Sequence, residues 1–307
     1  MFNTNINFIG NRHISLAFSG LLMIVAIASL AIQGLEMGID FTGGTLIEVG
    51  YKEAADLTVL RNTLDEKGFA DATVQNFGTA KDVLIRLKPH ENTSSAELSN
   101  QVLDAINATA KDPASVRRVE FVGPQVGDDL AGDGFLALLY SSIGILIYVA
   151  WRFEWKFSAG AVIATFHDVI VTLGVFSIFH LEFDLTVLAA ILALIGYSLN
   201  DTIVVYDRIR ENFISLRNKS TEEMMNISVN VTLSRTIMTS FTVVLVLVSL
   251  FFLGGEVIHN FSIALLFGVF FGTYSSIFIA SPVALILGVS PQDLIPAAKE
   301  SHLDNLP

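Results

Sequence analysis

Apolar residues in this chain collect into six long runs, at 14–32, 135–151, 157–179, 185–206, 234–253 and 258–287. Coiled into a helix at about 1.5 Å per residue, each run is long enough to cross about 30 Å of hydrocarbon. The pattern therefore predicts six transmembrane helices. The first run follows Arg12 as the core of a secretory leader would. Its apolar stretch exceeds a leader core, however, and Gln33-Gly34-Leu35-Glu36 makes a poor cleavage site. It reads as a retained helix. The polar ends, 1–13 and 288–307, read as tails.

Residues 36–134, between the first two runs, follow shorter periods. Segments 45–51, 72–77, 82–87 and 116–122 are β-rich and read as strands. Segment 56–67 spaces Leu57, Leu60 and Leu64 as a helix does, behind a capping Asp56, and 94–110 places Leu98, Val102 and Ile106 on one helical face. The order βαββαβ is the ferredoxin-like pattern, which by itself specifies no activity. The fold class expected is an α-helical integral membrane protein with a small α+β ferredoxin-like domain after its first helix. The other five helices lie in 135–287.

Lysine and arginine orient the bundle. Arg152 and Lys156 lie between runs two and three, and Arg208, Arg210, Arg217 and Lys219 between runs four and five. Residues 180–184 and 254–257 hold none. Short positive loops face the cytoplasm, which puts both termini inside and residues 36–134 outside.

Composition narrows the chemistry. Hydrophobic residues make up 52% of the chain and charged residues 16%, against about 25% charged in soluble domains. The net charge of −12 resides mostly in 36–134, where 17 Asp/Glu meet 9 Lys/Arg, which argues against nucleic-acid binding. The absence of cysteine removes disulfides and thiolate metal sites. There is no Walker loop, no cluster of metal ligands and no hydrolytic triad in the sequence, so no catalytic site, cofactor or metal is expected.

Polar residues inside the runs are the informative ones. Asp201 is the only fully charged side chain in 185–206. A carboxylate there costs at least about 2.5 kcal/mol to insert, which marks a functional position. Asp168 lies near the middle of the third run, preceded by His167. Ala161, Thr165, Asp168 and Thr172 share a face, as do Thr232, Arg235, Thr239 and Thr242 on the fifth helix. Tyr197, Ser198 and Asp201 point roughly together. Asp201 and Arg235 fall at similar depth on consecutive antiparallel helices, so an ion pair between them is geometrically reasonable. A change of partner would shift the carboxylate's proton affinity, as a proton-driven switch requires. A static Asp201–Arg235 pair, an Asp168 bonded to neighbouring hydroxyls and a packing role for His167 are the competing readings. Gly268, Gly272, Ser276 and Ala280 form a small-residue stripe that invites close helix packing, in this chain or with another.

Several longer motifs then point one way. They are Gly38-Ile39-Asp40-Phe41-Thr42-Gly43-Gly44-Thr45 and Val122-Gly123-Pro124-Gln125-Val126-Gly127. Phe166-His167-Asp168-Val169 follows on the third helix. Gly196-Tyr197-Ser198-Leu199-Asn200-Asp201-Thr202-Ile203-Val204-Val205 runs on into Asp207-Arg208-Ile209-Arg210-Glu211-Asn212, and Leu233-Ser234-Arg235-Thr236 opens the fifth run. In this order they resemble the SecD/SecF family of bacterial protein-export membrane proteins, within the RND superfamily. The resemblance covers nearly the whole chain, on the side of the family's smaller subunit. It implies half of an RND-type transporter in the cytoplasmic membrane, with residues 36–134 as its periplasmic domain. It also implies a SecD partner, work beside SecYEG and YajC on a translocating preprotein, use of the proton motive force, and no enzymatic activity. Asp201 matches the family's functional intramembrane acid and Arg235 its arginine. Asp40, Gly43, Gly44, Asn200, Asp207 and Arg208 match motif positions. An RND-type exporter of lipids or small molecules and a purely structural assembly subunit are the alternatives.

Overall fold

The computed structural model describes residues 4–89, 95–109, 113–216 and 218–294. The predicted ends of the second soluble helix, Ser94 and Ala110, lie outside the described residues, as do Arg217 and the outer parts of both tails.

Among the described residues six helices are long and apolar enough to cross a membrane. The first, α1 (Arg12–Ile32), leads into a two-residue strand β1 (Glu36–Met37) and a single turn α2 (Ile39–Thr42). The α/β domain follows as β2 (Gly44–Gly50), α3 (Leu57–Glu66), β3 (Thr73–Phe77), β4 (Thr79–Leu87), α4 (Ser95–Thr109) and β5 (Ser115–Val122). The bundle resumes with α5 (Pro124–Arg152), α6 (Trp155–Ile178), a short β6 (Glu182–Phe183), α7 (Leu185–Ser215) and α8 (Thr221–Leu253). The last span is divided into α9 (His259–Ser275), a π-helical turn (Ser276–Ala280) and α10 (Ser281–Ile286).

Capping chemistry explains where the helices outrun the apolar runs. Pro124 stands at the start of α5 behind an extended Gly123, so the helix begins eleven residues before the apolar stretch and carries Asp128, Asp129 and Asp133 into the α/β side. Ser220 and Glu223 form a reciprocal capping box that starts α8 well ahead of residue 234. Asp56 caps α3 by accepting from Thr58 and Val59 N–H, as its position predicts. Pro282 has no N–H to continue the α ladder, and the π turn lies just before it. The sixth span thus runs as one helix over His259–Ile286, widened by a π turn ahead of Pro282.

The sheet order is β3-β4-β2-β5, antiparallel throughout, with α3 and α4 closing a core of Ile47, Leu64, Val83, Ile85, Val102 and Ile106. A separate parallel ladder joins β1 to β6.

Within the bundle α6, α7 and the last span form the centre. Half or more of their apolar stretches is buried inside the chain, against less than a quarter for α1, α5 and α8. The small-residue stripe finds its neighbours in this same chain. A side chain at Gly268 would meet Leu194, and one at Gly272 would meet Ser198, both on α7. Residues 4–11, read as tail, are docked on α8. Asn226 and Asn230 accept from the backbone of Ile6, Phe8 and Ile9 and donate back to Ile6 O, and Ile9 is fully buried.

Candidate functional site

Among the described residues, two carboxylates lie buried within the apolar helices, in opposite circumstances. Asp168 on α6 has no exposed surface. Ser198 of α7 and Ser275 of α9 each donate to its Oδ2 at 2.6 Å, and His167 Nδ1 lies 3.0 Å from its Oδ1. Three helices thus close on one acid. Small residues make this approach possible: Gly272 sits against Ser198, with Asp168 Oδ2 just beyond. The His167 ring packs edge-on to Phe271 and tilted over Tyr274, while its Nε2 has no hydrogen-bond partner.

Asp201 is 2% exposed, yet its Oδ2 has no partner. The neighbouring, exposed Asn200 is a polar group close to it. Arg235 is near enough for a Coulombic attraction, but no direct ion pair between them occurs among the described residues. The predicted pairing is thus loosened into an interaction at a distance. The polar stripe on α8 is also divided: Thr232 is buried, while Arg235, Thr239 and Thr242 are exposed on the surface of the single chain. The buried face carries Thr236 and Ser240 instead. At 100° per residue Arg235 is turned about 100° away from Thr236, which the contact with α7 and α9 selects.

Tyr197, Ser198 and Asp201 also separate. Ser198 joins Asp168, whereas Tyr197 donates to Ser240 of α8, which bonds Thr273 of α9 at 2.6 Å. Asp207 and Arg208 take no part in either site. They belong to an ion-pair group at the far end of the bundle, where Arg152 meets Asp207 at 2.7 Å and Arg208 meets Glu211 at 2.8 Å.

Asp40, Gly43 and Gly44 lie at the opposite end, where the α/β domain meets the bundle. Asp40 Oδ2 accepts from Leu185 N–H at 3.0 Å, adding a second carboxylate to the start of α7, which Asp184 caps through Val187 N–H. Gly43 has φ +67°, and a Cβ there would lie 2.9 Å from Pro124 Cα; at Gly44, φ +128°, it would strike Leu87 O. Beside them Arg86 of β4 binds Glu182 of β6 at 2.6 Å. Burial pushes the Glu182 carboxyl up from its ordinary value; Arg86 pulls it down and Asp184 and Asp40 push it up. Asp184 is raised by burial against its own helix-capping bonds. Among the described residues no group of three His, Asp or Glu is placed to hold a metal ion.

Sequence reasoning missed Ser275, Ser240, Arg86 and Glu182. Ser275 stands one position from the small-residue stripe, and a helical projection would place it near Gly272. Arg86 and Glu182 carry no local signal, because 96 residues separate them.

Fold and site together define a polytopic membrane protein with acids buried in its spans and a soluble domain bound to one end of its helices. Family comparison makes this specific. Residues 101–290 match the model described as protein export membrane protein SecD/SecF, C-terminal, and residues 28–55 match the SecD/SecF GG motif. The chain is 49% identical to a protein translocase subunit SecF from Vibrio alginolyticus, over 98% of this chain and 97% of that one. It is 48% identical to one from Pseudomonas aeruginosa, over 98% of each. The chain belongs to the SecD/SecF family of protein-export membrane proteins. Among solved structures it is similar to SecDF from Thermus thermophilus, with TM-score 0.85 and 37% identity over 94% of this chain. A SecDF in a super-membrane-facing form gives TM-score 0.69 at the same identity. The chain spans 39% of the length of either SecDF chain.

Proposed function

We propose that this chain is the smaller half of a SecD–SecF pair in the bacterial cytoplasmic membrane. The pair spends the proton motive force to promote export of preproteins through SecYEG, alongside YajC, and performs no enzymatic reaction. Both termini face the cytoplasm, and the α/β domain is a periplasmic domain of ferredoxin-like kind. The strand order β3-β4-β2-β5 with two helices supports that assignment.

The observation that carries the reading is the state of Asp201: buried, one oxygen unpaired, and under the influence of an arginine it does not touch. Such an acid is poised to exchange a proton and a partner, whereas Asp168, bonded from three sides, is poised to hold helices together. Arg235 supports the partnership. An arginine facing lipid costs about 2.5–3.5 kcal/mol near mid-membrane, so its exposed face on α8 calls for a covering subunit with an acid or a water path of its own. In this reading Asp201 takes up a proton, Arg235 changes its hold on it, and α7 and α8 shift against each other. His167 and Asp168 keep α6, α7 and α9 in register while this happens.

Replacing Asp201 with Asn in the reconstituted pair tests the reading. Proton-dependent stimulation of export and proton flux per complex should both be lost, with the complex still assembled. Unchanged flux and export would remove Asp201 from the mechanism. A lower yield of complexes that each carry normal flux would favour the purely structural subunit.

A further inference from the structure

The junction between the α/β domain and the bundle is built around one guanidinium. Arg86 Nη2 meets Glu182 Oε1 at 2.6 Å and Arg86 Nη1 donates to Met37 O at 3.3 Å. It therefore spans both strands of the β1–β6 ladder, reaching across from the domain's sheet. Both partners of the ion pair are mostly shielded from solvent, with side chains 16% and 13% exposed. In that setting the pair is screened far less than a surface salt bridge.

Each side of this contact is rigid. Arg86 sits on β4, an inner strand paired with β2 on one side and β3 on the other, so a force on it moves the sheet as a body. Glu182 lies three residues before α7. Its backbone oxygen accepts from Asn260 at the start of α9, and Gly38 N–H donates to its neighbour Phe183 O. Asp40, on the turn between β1 and the sheet, holds the first amide of α7 directly. Phe41 and Phe183 stack across the same seam with centroids 5.8 Å apart. Asp201 lies sixteen residues further along α7, about 24 Å down one continuous helix. A tilt or slide of α7 of an ångström or two must either carry the sheet with it or break the Arg86–Glu182 pair.

We propose that Arg86 and Glu182, with Asp40, form a clamp by which the α/β domain follows movement of α7, making Arg86 a positioning residue for energy coupling. The proposal rests on the assignment of Asp201 to proton coupling. Through the clamp a proton event near the middle of α7 is delivered to the domain as displacement, and without it the helix moves while the domain stays behind.

The test is charge exchange in the complex reconstituted with its SecD partner. Arg86→Glu and Glu182→Arg should each lower proton-dependent export by about tenfold, the size of one lost coupling contact, with proton flux per complex kept within about twofold. The double exchange should restore export, because the pair re-forms with its polarity reversed. Glu182→Gln, which keeps shape and one acceptor oxygen, should give an intermediate loss and serves where a reversed charge prevents assembly. Asp201→Asn is run alongside. Export and flux both lost there, with export untouched in the assembled clamp variants, would overturn the clamp and leave the role of Asp201 standing. Export and flux unaltered in Asp201→Asn would overturn the underlying reading instead. Export lost in both single variants and not recovered in the double would also overturn the clamp, reducing the residues to local packing.

Discussion

Asp168 and Asp201 are two acids on adjacent spans of one chain, and their surroundings are opposite. Asp168 is saturated: hydroxyls from α7 and α9 and the imidazole of His167 surround it. Asp201 is equally hidden from solvent but keeps one oxygen unpaired. Burial alone therefore does not distinguish the two acids. The difference lies in how many partners the site provides, because a fully bonded carboxylate resists change and a half-bonded one invites it.

The comparison is most directly broken at Asp201. Asp201→Asn should abolish proton-driven export while moving the unfolding midpoint of the purified chain little, as no bonded network is lost. The reverse is expected at Asp168. Asp168→Ala strands two serine hydroxyls and a histidine in the centre of the bundle, and should cost about 3–5 kcal/mol of stability, read from denaturant unfolding in detergent. An Asp168 variant of unaltered stability that loses proton flux would exchange the roles of the two acids.

A finer probe removes one donor at a time. Ser275→Ala and Ser198→Ala should each cost about 1–2 kcal/mol, and the pair of changes less than their sum, since both hydroxyls share Asp168 Oδ2. The smallest effect belongs to the junction at the head of α7. The folded state raises the proton affinity of Glu182, so its contribution to stability is complete below the ordinary glutamate value and falls as pH rises through the raised one. Protection of the Gly38 amide, which donates to Phe183 O, should accordingly decline over that window once intrinsic exchange is allowed for. Glu182→Gln should flatten the slope. A slope that survives would assign it to Asp184, whose carboxyl burial also raises.

Much of the architecture was legible in the residues. Six spans, the strand and helix succession of 36–134 and the Asp56 cap follow from periodicities of 3.6 and 2 and from local capping chemistry, all of which act over a few residues. The errors lay where local signals continue past a boundary or stop short of one. Apolar run lengths understate α5 and α8, because good helix formers and caps carry a helix into water beyond its hydrophobic stretch. In the last span they gave no sign of the π turn ahead of Pro282.

The sequence by itself also singled out Asp168, Asp201 and Arg235, since charge in an apolar run is costly wherever the helix faces. Which face each helix presents was decided by tertiary packing. A stripe on one helix spans only a limited arc, and a rotation of about 100° separates the buried Thr236 from the outward Arg235. Packing likewise sent Ser198 to Asp168 and Tyr197 to Ser240, although they are neighbours in the chain. It also brought Arg86 to Glu182 across 96 residues. Contacts of that range leave no periodic trace in sequence, because they depend on how whole elements stack rather than on what each element is.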